Sequence, residues 1–308
     1  MYQFITSALV SLSLMACSTS SPMQAETFYD YQLFSPNATP ISLQKLPQDI
    51  LEADVILVGE LHSHTGIHHF QTDLFNILSA QGRTTALSME QFSRDSQPVI
   101  DKYLSGEIGE QTLIKDADAW PNYESDYRSI VELAKARQLD IIAANAPKNI
   151  VRCIGKQGIS YLDKLKPKQR ATIATNVNTQ PSPYKDKFMA SMHHGVNEKA
   201  ERYYAAQITW DETMAESITD YVQLNPKSQI LHIGGKFHIE QGLGMKASIL
   251  ARQPNLKVVV ITPNDNILSN SQDYQLEVLP FPYRYIKEEN WLKESKKLSK
   301  RNDDLTCM

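Results

Sequence analysis

The chain has 308 residues, a formal net charge of −4 and 42% hydrophobic residues, which is ordinary for a globular protein of one large domain or two small ones. A near-neutral balance gives no electrostatic case for nucleic acid, since phosphate backbones require clustered Lys and Arg. The one basic run, KESKKLSKR at 293–301, falls in a polar C-terminal tail at 286–308, where we expect it to be solvated.

The N-terminus carries an apolar segment, FITSALVSLSLMAC, that is too short to span a bilayer. Small residues before Cys17 predict a lipoprotein signal peptide at 1–17 with a lipobox, and lipidation of Cys17, palmitate included. An ordinary signal peptide is the alternative, and residues 1–16 lack the usual Lys or Arg. Acyl chains would hold the protein on a membrane permanently. Ser18 favours the outer membrane, by resemblance to enterobacterial sorting, and leaves open which side the protein faces.

Five short apolar runs alternate with segments of helical period after a linker at 18–40. The runs have strand length: ADVILVG (53–59), TTALSME (84–90), LDIIAAN (139–145), QILHIGG (229–235) and LKVVVIT (256–262). Runs that are apolar on both faces are typical of buried parallel strands. The pattern predicts an α/β fold, with a mostly parallel central sheet flanked by helices, in a single domain at 41–285. The interval of about 147–228 has no convincing strand and predicts a helical lid insertion.

Polar side chains stand at the carboxyl ends of the predicted strands. Glu60 and His62 follow the first strand, Glu90 ends the second, and His238 follows the fourth. Parallel strands point their carboxyl ends to one edge, so we expect these groups to meet in one crevice. There they can orient a water, act as acid and base, or bind a divalent metal. In the alternative interpretation, Glu60 caps the next helix and the histidines are hydrogen-bonded core residues.

A second cluster, of aromatic residues and histidines, lies in the insertion. His193 and His194 shortly precede Tyr203 and Tyr204, which begin a predicted helix. Tyrosine binds ferric iron as phenolate and histidine can hydrogen-bond beside it, so the cluster is compatible with a haem site. The alternative is a helix whose aromatic residues only pack in the core. Asp211, on the inward face of the same helix, requires a partner.

Two cysteines, Cys153 and Cys307, remain when Cys17 is set aside. In an oxidising compartment they can pair or stay free, and the sequence leaves both states open. Neither has the CxxC or CxxxH spacing of a zinc site.

Five motifs resemble the ChaN-like haem-binding lipoproteins, within a wider group that includes Tiki proteases and erythromycin esterases. In order, from about residue 50 to 265, they are ADVILVGELHSH, SMEQF, AANAPKNIV, YYAAQITWDETMA and ILHIGGKFHIEQGLG. The resemblance implies an iron-regulated outer-membrane lipoprotein that binds ferric haem for haem or iron acquisition, beside a TonB-dependent haem receptor, and that is not an enzyme. It also implies a homodimer enclosing two cofacial haems, each iron held by one tyrosine with a histidine of the other subunit nearby.

The resemblance carries residue roles onto this sequence. It assigns the haem iron to Tyr203 or Tyr204, with Tyr184 as a further candidate, and the hydrogen-bonding partner to His193 or His194. Tyr203 is expected to face outward, because the helical stripe of Tyr204 continues into apolar positions.

The sequence is compatible with two other functions. The first is a metal-dependent or water-activating hydrolase that uses the strand-end cluster of Glu60, His62, Glu90 and His238. Against it, the chain has no HExxH and no GxSxG motif. The second is a protein without either activity, which uses the lid to hold a partner receptor.

Overall fold

A computed structural model describes residues 25–192, 197–300 and 305–307. Its strands form one eight-stranded sheet in the order β2-β1-β8-β7-β3-β6-β4-β5. The strands are β1 (Gln32–Phe34), β2 (Pro40–Ile41), β3 (Val55–Glu60), β4 (Thr85–Ser93), β5 (Ile141–Asn145), β6 (Gln229–Gly235), β7 (Val258–Asn264) and β8 (Tyr274–Glu277).

Helices cover both faces of the sheet. They are α1 (Gln48–Glu52), α2 (Thr65–Leu78), α3 (Gln97–Leu104), α4 (Glu110–Asp116), α5 (Arg128–Ala136), α6 (Lys148–Gln157), α7 (Pro167–Arg170), α8 (Pro183–Ser191), α9 (Glu198–Leu224), α10 (Lys236–Ile239), α11 (Met245–Arg252) and α12 (Glu288–Lys300). A π-helical turn at Tyr123–Tyr127 precedes α5. Over the described ranges, no helix combines the length and the apolar character needed to cross a bilayer.

The five predicted strands are β3 to β7, and they pair in parallel. Leu57 in β3 lies between His232 of β6 and Val260 of β7, and every residue of β3 is buried. The predicted α/β class with a mostly parallel sheet is therefore confirmed.

The predicted linker at 18–40 is wrong over its last part, because β1 and the first residue of β2 lie there. β1 pairs antiparallel with both β2 and β8 and so extends the sheet at one edge. Leu33 of β1 is buried in the core. β1 and β2 are too short to show a two-residue period, which explains why the sequence pattern missed them.

The long helix α9 belongs both to the insertion and to the core of the sheet. Its second half buries Met214 and Ile218 against Val55 and Leu57 of β3. Its first half packs Tyr204 and its neighbours against α8 in a separate aromatic cluster. The helical insertion is therefore anchored directly on the sheet.

A disulfide joins Cys153 in α6 to Cys307 near the C-terminus. The backbone carbonyl of Leu305 also accepts a hydrogen bond from Lys156 Nζ at 3.1 Å. Of the two states that the sequence left open, the structure has the paired one, and the end of the chain is tied to the insertion.

Candidate functional site

The strand-end residues Glu60, His62, Glu90 and His238 meet around Gly235, the last residue of β6. A Cβ placed on Gly235 would lie 3.2 Å from His62 Nε2 and 3.4 Å from His238 Cδ2. The Gly235 backbone N–H donates to Glu90 Oε2 at 2.5 Å. We call this set the strand-end crevice. Its members lie close together because parallel strands end at the same edge of the sheet.

Glu60 is a buried carboxylate with four side-chain donors. Its Oε1 accepts hydrogen bonds from His62 Nδ1 at 2.9 Å, Gln91 Nε2 at 3.0 Å and the Tyr127 hydroxyl at 2.7 Å. Its Oε2 accepts from Gln71 Nε2 at 2.8 Å. Burial favours a higher pKa, but the hydrogen bond from His62 and the charge of nearby histidines lower the pKa of Glu60 to about 2. Glu60 is therefore ionised, and it does not cap α2, whose N-cap is His64.

His62 is the half-exposed member of the crevice. Its side chain is 47% exposed, and its ring meets the Trp120 ring edge-on at 4.9 Å between centroids. Burial favours a lower pKa for His62, but the hydrogen bond to Glu60 and the charge of Glu90 raise it above its ordinary value. The crevice thus presents an imidazole that is oriented by an ionised carboxylate.

His238 lies deeper and pairs with an acid from the insertion. Its Nδ1 is 3.0 Å from Asp211 Oδ2, and its Nε2 is 3.8 Å from Glu90 Oε1. The Tyr184 hydroxyl donates to the same Asp211 oxygen at 2.9 Å. Burial favours a lower pKa for His238, but the charge of Asp211 raises it to about 9. The partner that the sequence required for Asp211 is thus His238, assisted by Tyr184.

A neutral histidine lies in the strand behind the crevice. His232 is buried within β6, and its Nδ1 lies 2.9 Å from Ser88 Oγ of β4. Burial and the positive charge of His238 lower the pKa of His232 to about 3. Asn145, at the end of β5, donates to the Glu90 backbone carbonyl at 2.9 Å. These contacts fix the positions of the strand ends that carry the crevice.

Sequence reasoning missed three of the donors to Glu60: Gln71 from α2, Gln91 from β4, and Tyr127 from the π-helical turn. The available signal was general, since a buried carboxylate requires donors. Which side chains supply them depends on how the helices dock. Among the residues that the structure describes, no group of three or more His, Cys, Asp or Glu side chains is arranged to hold a metal ion.

The insertion separates its tyrosines into two environments. Tyr184 and Tyr204 are buried, whereas Tyr203 is 37% exposed, as its helical position predicted. Burial raises the pKa of both inner tyrosines, and for Tyr184 a neighbouring carboxylate raises it further. The other two predicted residues, His193 and His194, lie outside the described residues.

The exposed Tyr203 lies where α9 crosses α6. A Cβ placed on Gly155 of α6 would lie 3.8 Å from Tyr203 Cδ1, at ordinary van der Waals distance, so one edge of the ring lies next to α6. Lys199 Nζ lies 5.6 Å from the Tyr203 ring centroid. We call Gly155, Lys199 and Tyr203 the Tyr203 face. It combines a phenol and an ammonium group on an outer surface.

The chain is an α/β protein in which a mostly parallel sheet carries the strand-end crevice and a helical insertion packs against the sheet. A family model described as haem-binding uptake, Tiki superfamily, ChaN matches residues 46–249. The chain belongs to this family. The resemblance found in the sequence is confirmed, and with it haem as the ligand by which the family is described.

Solved structures resemble the chain at low sequence identity. A structure of cofacial haem binding to ChaN of Campylobacter jejuni is 21% identical with a TM-score of 0.64, over 84% of this chain and 100% of that one. An erythromycin esterase mutant in an open conformation is 12% identical with a TM-score of 0.43, over 86% and 87%. A toxin effector domain from Vibrio vulnificus is 17% identical with a TM-score of 0.40, over 77% and 38%. The first of these shows the fold alone, and no curated protein matches the chain.

Proposed function

We propose that this chain binds ferric haem at the Tyr203 face, as a homodimer, and takes part in haem or iron acquisition without being an enzyme. One observation carries the proposal. Of the eight tyrosines within the range 46–249 that the family model matches, Tyr203 is the exposed one. Six of the others are buried and Tyr221 is half-buried.

The electrostatics of the insertion favour Tyr203 over the inner tyrosines. A tyrosine binds ferric iron as phenolate, so its hydroxyl must lose a proton. The raised pKa values of Tyr184 and Tyr204 oppose that loss. The ammonium of Lys199 lies 5.6 Å from the centroid of the Tyr203 ring. Lys199 can also pair with a carboxylate of the haem, while the bound haem supplies the ferric iron that accepts the phenolate oxygen.

The exposure of Tyr203 also supports the dimer. An outer surface covers one side of a flat ligand and leaves the other side in water, so a second copy of the chain is needed to enclose it. If two haems stack face to face between two subunits, each haem is covered on both sides. Cofacial haem binding is described for ChaN of Campylobacter jejuni. His193 and His194 precede α9 in sequence and remain the proposed hydrogen-bonding partners.

A haemin titration tests the ligand and the dimer together, with visible absorption and size exclusion recorded in parallel. We expect a saturable spectral change and a shift from monomer to dimer in the wild type, and loss of the phenolate absorption in Tyr203→Phe. Tyr283→Phe, which changes a tyrosine that is 89% exposed and outside the matched range, is the matched control. Loss of the phenolate absorption in Tyr204→Phe or Tyr184→Phe instead would assign the iron to a buried tyrosine. Retention of the absorption in all three variants would overturn the tyrosine ligand.

Membrane attachment and the receptor belong to the same proposal. Cys17 lies outside the described residues, and its lipidation at the outer membrane is supported by the lipobox. Cys17→Ser should release the protein from membranes after a high-salt wash, and retention would contradict the anchor. A TonB-dependent receptor as partner predicts that deletion of the protein slows growth on haem as sole iron source only in strains that carry the receptor.

Water activation in the strand-end crevice is a second candidate, favoured by the ionised Glu60 that orients the half-exposed His62. The described part of the chain contains no group of side chains that could hold a metal ion for a metal-dependent form of this activity. Hydrolysis of p-nitrophenyl acetate by the haem-free protein tests it. Loss of turnover in His62→Gln, with retention in His69→Gln at an exposed histidine, would support it. A wild-type rate equal to the buffer rate would reject it.

A further inference from the structure

A stretch near the C-terminus exposes large apolar side chains to solvent. Every residue of 282–293 is exposed. Of nine large hydrophobic residues exposed among those described, five lie here: Tyr283, Tyr285, Ile286, Trp291 and Leu292. Single exposed apolar residues are common on protein surfaces, but a contiguous group marks an interaction site.

The same stretch is strongly basic. Residues 283–301 contain seven Lys and Arg against three Glu, within a chain whose net charge is −4. In α12, Trp291 and Leu292 lie on one side, and at 100° per residue Lys293 and Lys297 lie across the helix from them. Glu288 and Ser295 project between Trp291 and Leu292, so the apolar surface of the helix comes from those two side chains, and the opposite side carries ammonium groups.

This segment is held against the body of the protein at both ends. Upstream, the Leu279 backbone carbonyl accepts a hydrogen bond from His64 Nε2 at 2.8 Å, and the Phe281 ring lies 5.1 Å from the His64 ring. Downstream, the disulfide fixes Cys307 to α6. A segment tethered at both ends loses less conformational entropy on docking than a free tail does.

We propose that the segment 283–300 docks on a bilayer surface that carries anionic headgroups. Tyr and Trp are the aromatic residues that favour the headgroup region, where Trp291, Leu292 and Ile286 would bury their apolar surface. The lysines across α12 would face the phosphates, as in other basic amphipathic helices that lie on membranes. This docking requires neither lipidation of Cys17 nor bound haem. It gives a function to the basic run at 293–301, which the sequence alone predicted to be solvated.

Cosedimentation with vesicles tests the proposal on the full chain, with Cys17→Ser in every sample so that no acyl anchor contributes. The vesicles are phosphatidylglycerol with phosphatidylethanolamine, or phosphatidylcholine alone. One variant combines Trp291→Ser with Leu292→Ser, and another combines Lys293→Gln with Lys297→Gln. The matched control combines Leu224→Ser with Leu268→Ser, two exposed leucines elsewhere on the surface. The N-terminal apolar segment is common to all samples, so differences among them report on α12.

We expect the partition coefficient onto phosphatidylglycerol vesicles to fall about tenfold or more in both α12 variants and to stay unchanged in the control. Added salt should weaken binding of the Cys17→Ser parent protein. The proposal is overturned if the Trp291 variant sediments like the Cys17→Ser parent protein, or if phosphatidylcholine binds that parent protein equally well. It is also overturned if the variant loses a dimer that size exclusion detects without vesicles, because a second copy would then be the occupant.

Discussion

Asp211 Oδ2 lies 3.0 Å from His238 Nδ1, and this buried ion pair joins the helical insertion to the carboxyl edge of the sheet. Asp211 belongs to α9 and His238 to α10, which directly follows β6. Removal of one partner of a buried pair leaves the other charge without compensation. The insertion and the strand-end crevice are therefore coupled electrostatically as well as by packing.

The raised pKa of His238 predicts a loss of stability at alkaline pH. Its pKa is about 9 in the folded protein, against an ordinary value of 6.5. A raised pKa contributes stability that is complete below about pH 6.5 and is lost as the pH rises through about 9. In urea titrations we expect the free energy of unfolding to fall more between these values in the wild type than in His238→Gln. His69→Gln, at an exposed histidine, should keep the wild-type dependence, and identical curves for all three proteins would argue against the ion pair.

Glu60→Gln should destabilise the protein by about 3–5 kcal/mol, because an amide in place of the buried carboxylate turns a donor toward other donors. The lowered pKa of Glu60, about 2 against an ordinary 4.5, contributes stability above pH 4.5 that is lost as the pH falls toward 2. The variant should therefore show a weaker acid dependence in urea titrations. Glu52→Gln, at a half-exposed side chain, should change the free energy of unfolding by less than about 1 kcal/mol. A similarly small effect for Glu60→Gln would show that the buried network is dispensable.

Gly244→Ala should destabilise the crevice, because Gly244 lies against both members of its ion pair. An added Cβ would lie 2.5 Å from the His238 carbonyl oxygen and 2.8 Å from Asp211 Oδ1. Overpacking of this kind costs about 1–3 kcal/mol, which thermal unfolding can measure as a lower Tm. Gly109→Ala is the control, since its Cβ would meet nothing within 4 Å and its φ is −89°. An unchanged Tm in both variants would mean that the backbone near Gly244 moves freely.

Reduction of the Cys153–Cys307 disulfide should lower the free energy of unfolding by about 2–5 kcal/mol, since the bond closes a loop with a sequence separation of 154. Urea titrations with and without dithiothreitol measure this effect. The double variant Cys153→Ser with Cys307→Ser should match the reduced protein and ignore dithiothreitol. A wild type that is also insensitive to dithiothreitol would mean that the tether adds nothing to stability.

Apolar runs were enough to predict β3 to β7, because strands buried on both faces carry long apolar stretches. β1, β2 and β8 have two to four residues each, and β1 and β8 include glutamines. No periodic signal survives at that length. Short strands of this kind become recognisable only once the sheet that they extend is known.

The candidate site was predictable where strand direction determines it. Glu60, Glu90 and His238 had to meet, since their strands share an edge. The donors Gln71 and Tyr127 lie 11 and 67 residues from Glu60 in sequence, and the docking of their own elements decides the contact. For Asp211 the sequence predicted that a partner was needed, but the choice of His238 rests on how α9 lies across the end of β6.

Because α9 is one uninterrupted helix of 27 residues, the insertion is not an exchangeable cassette. A chimera that replaced residues 147–228 with the matching stretch of a relative would also replace the side chains that cover one face of β3. A change of ligand chemistry that alters the inward side of this helix therefore requires compensating changes in the sheet. Protein engineers who want to transplant the Tyr203 face should graft surface positions of α6 and α9 and leave the inward side of the helix as it stands.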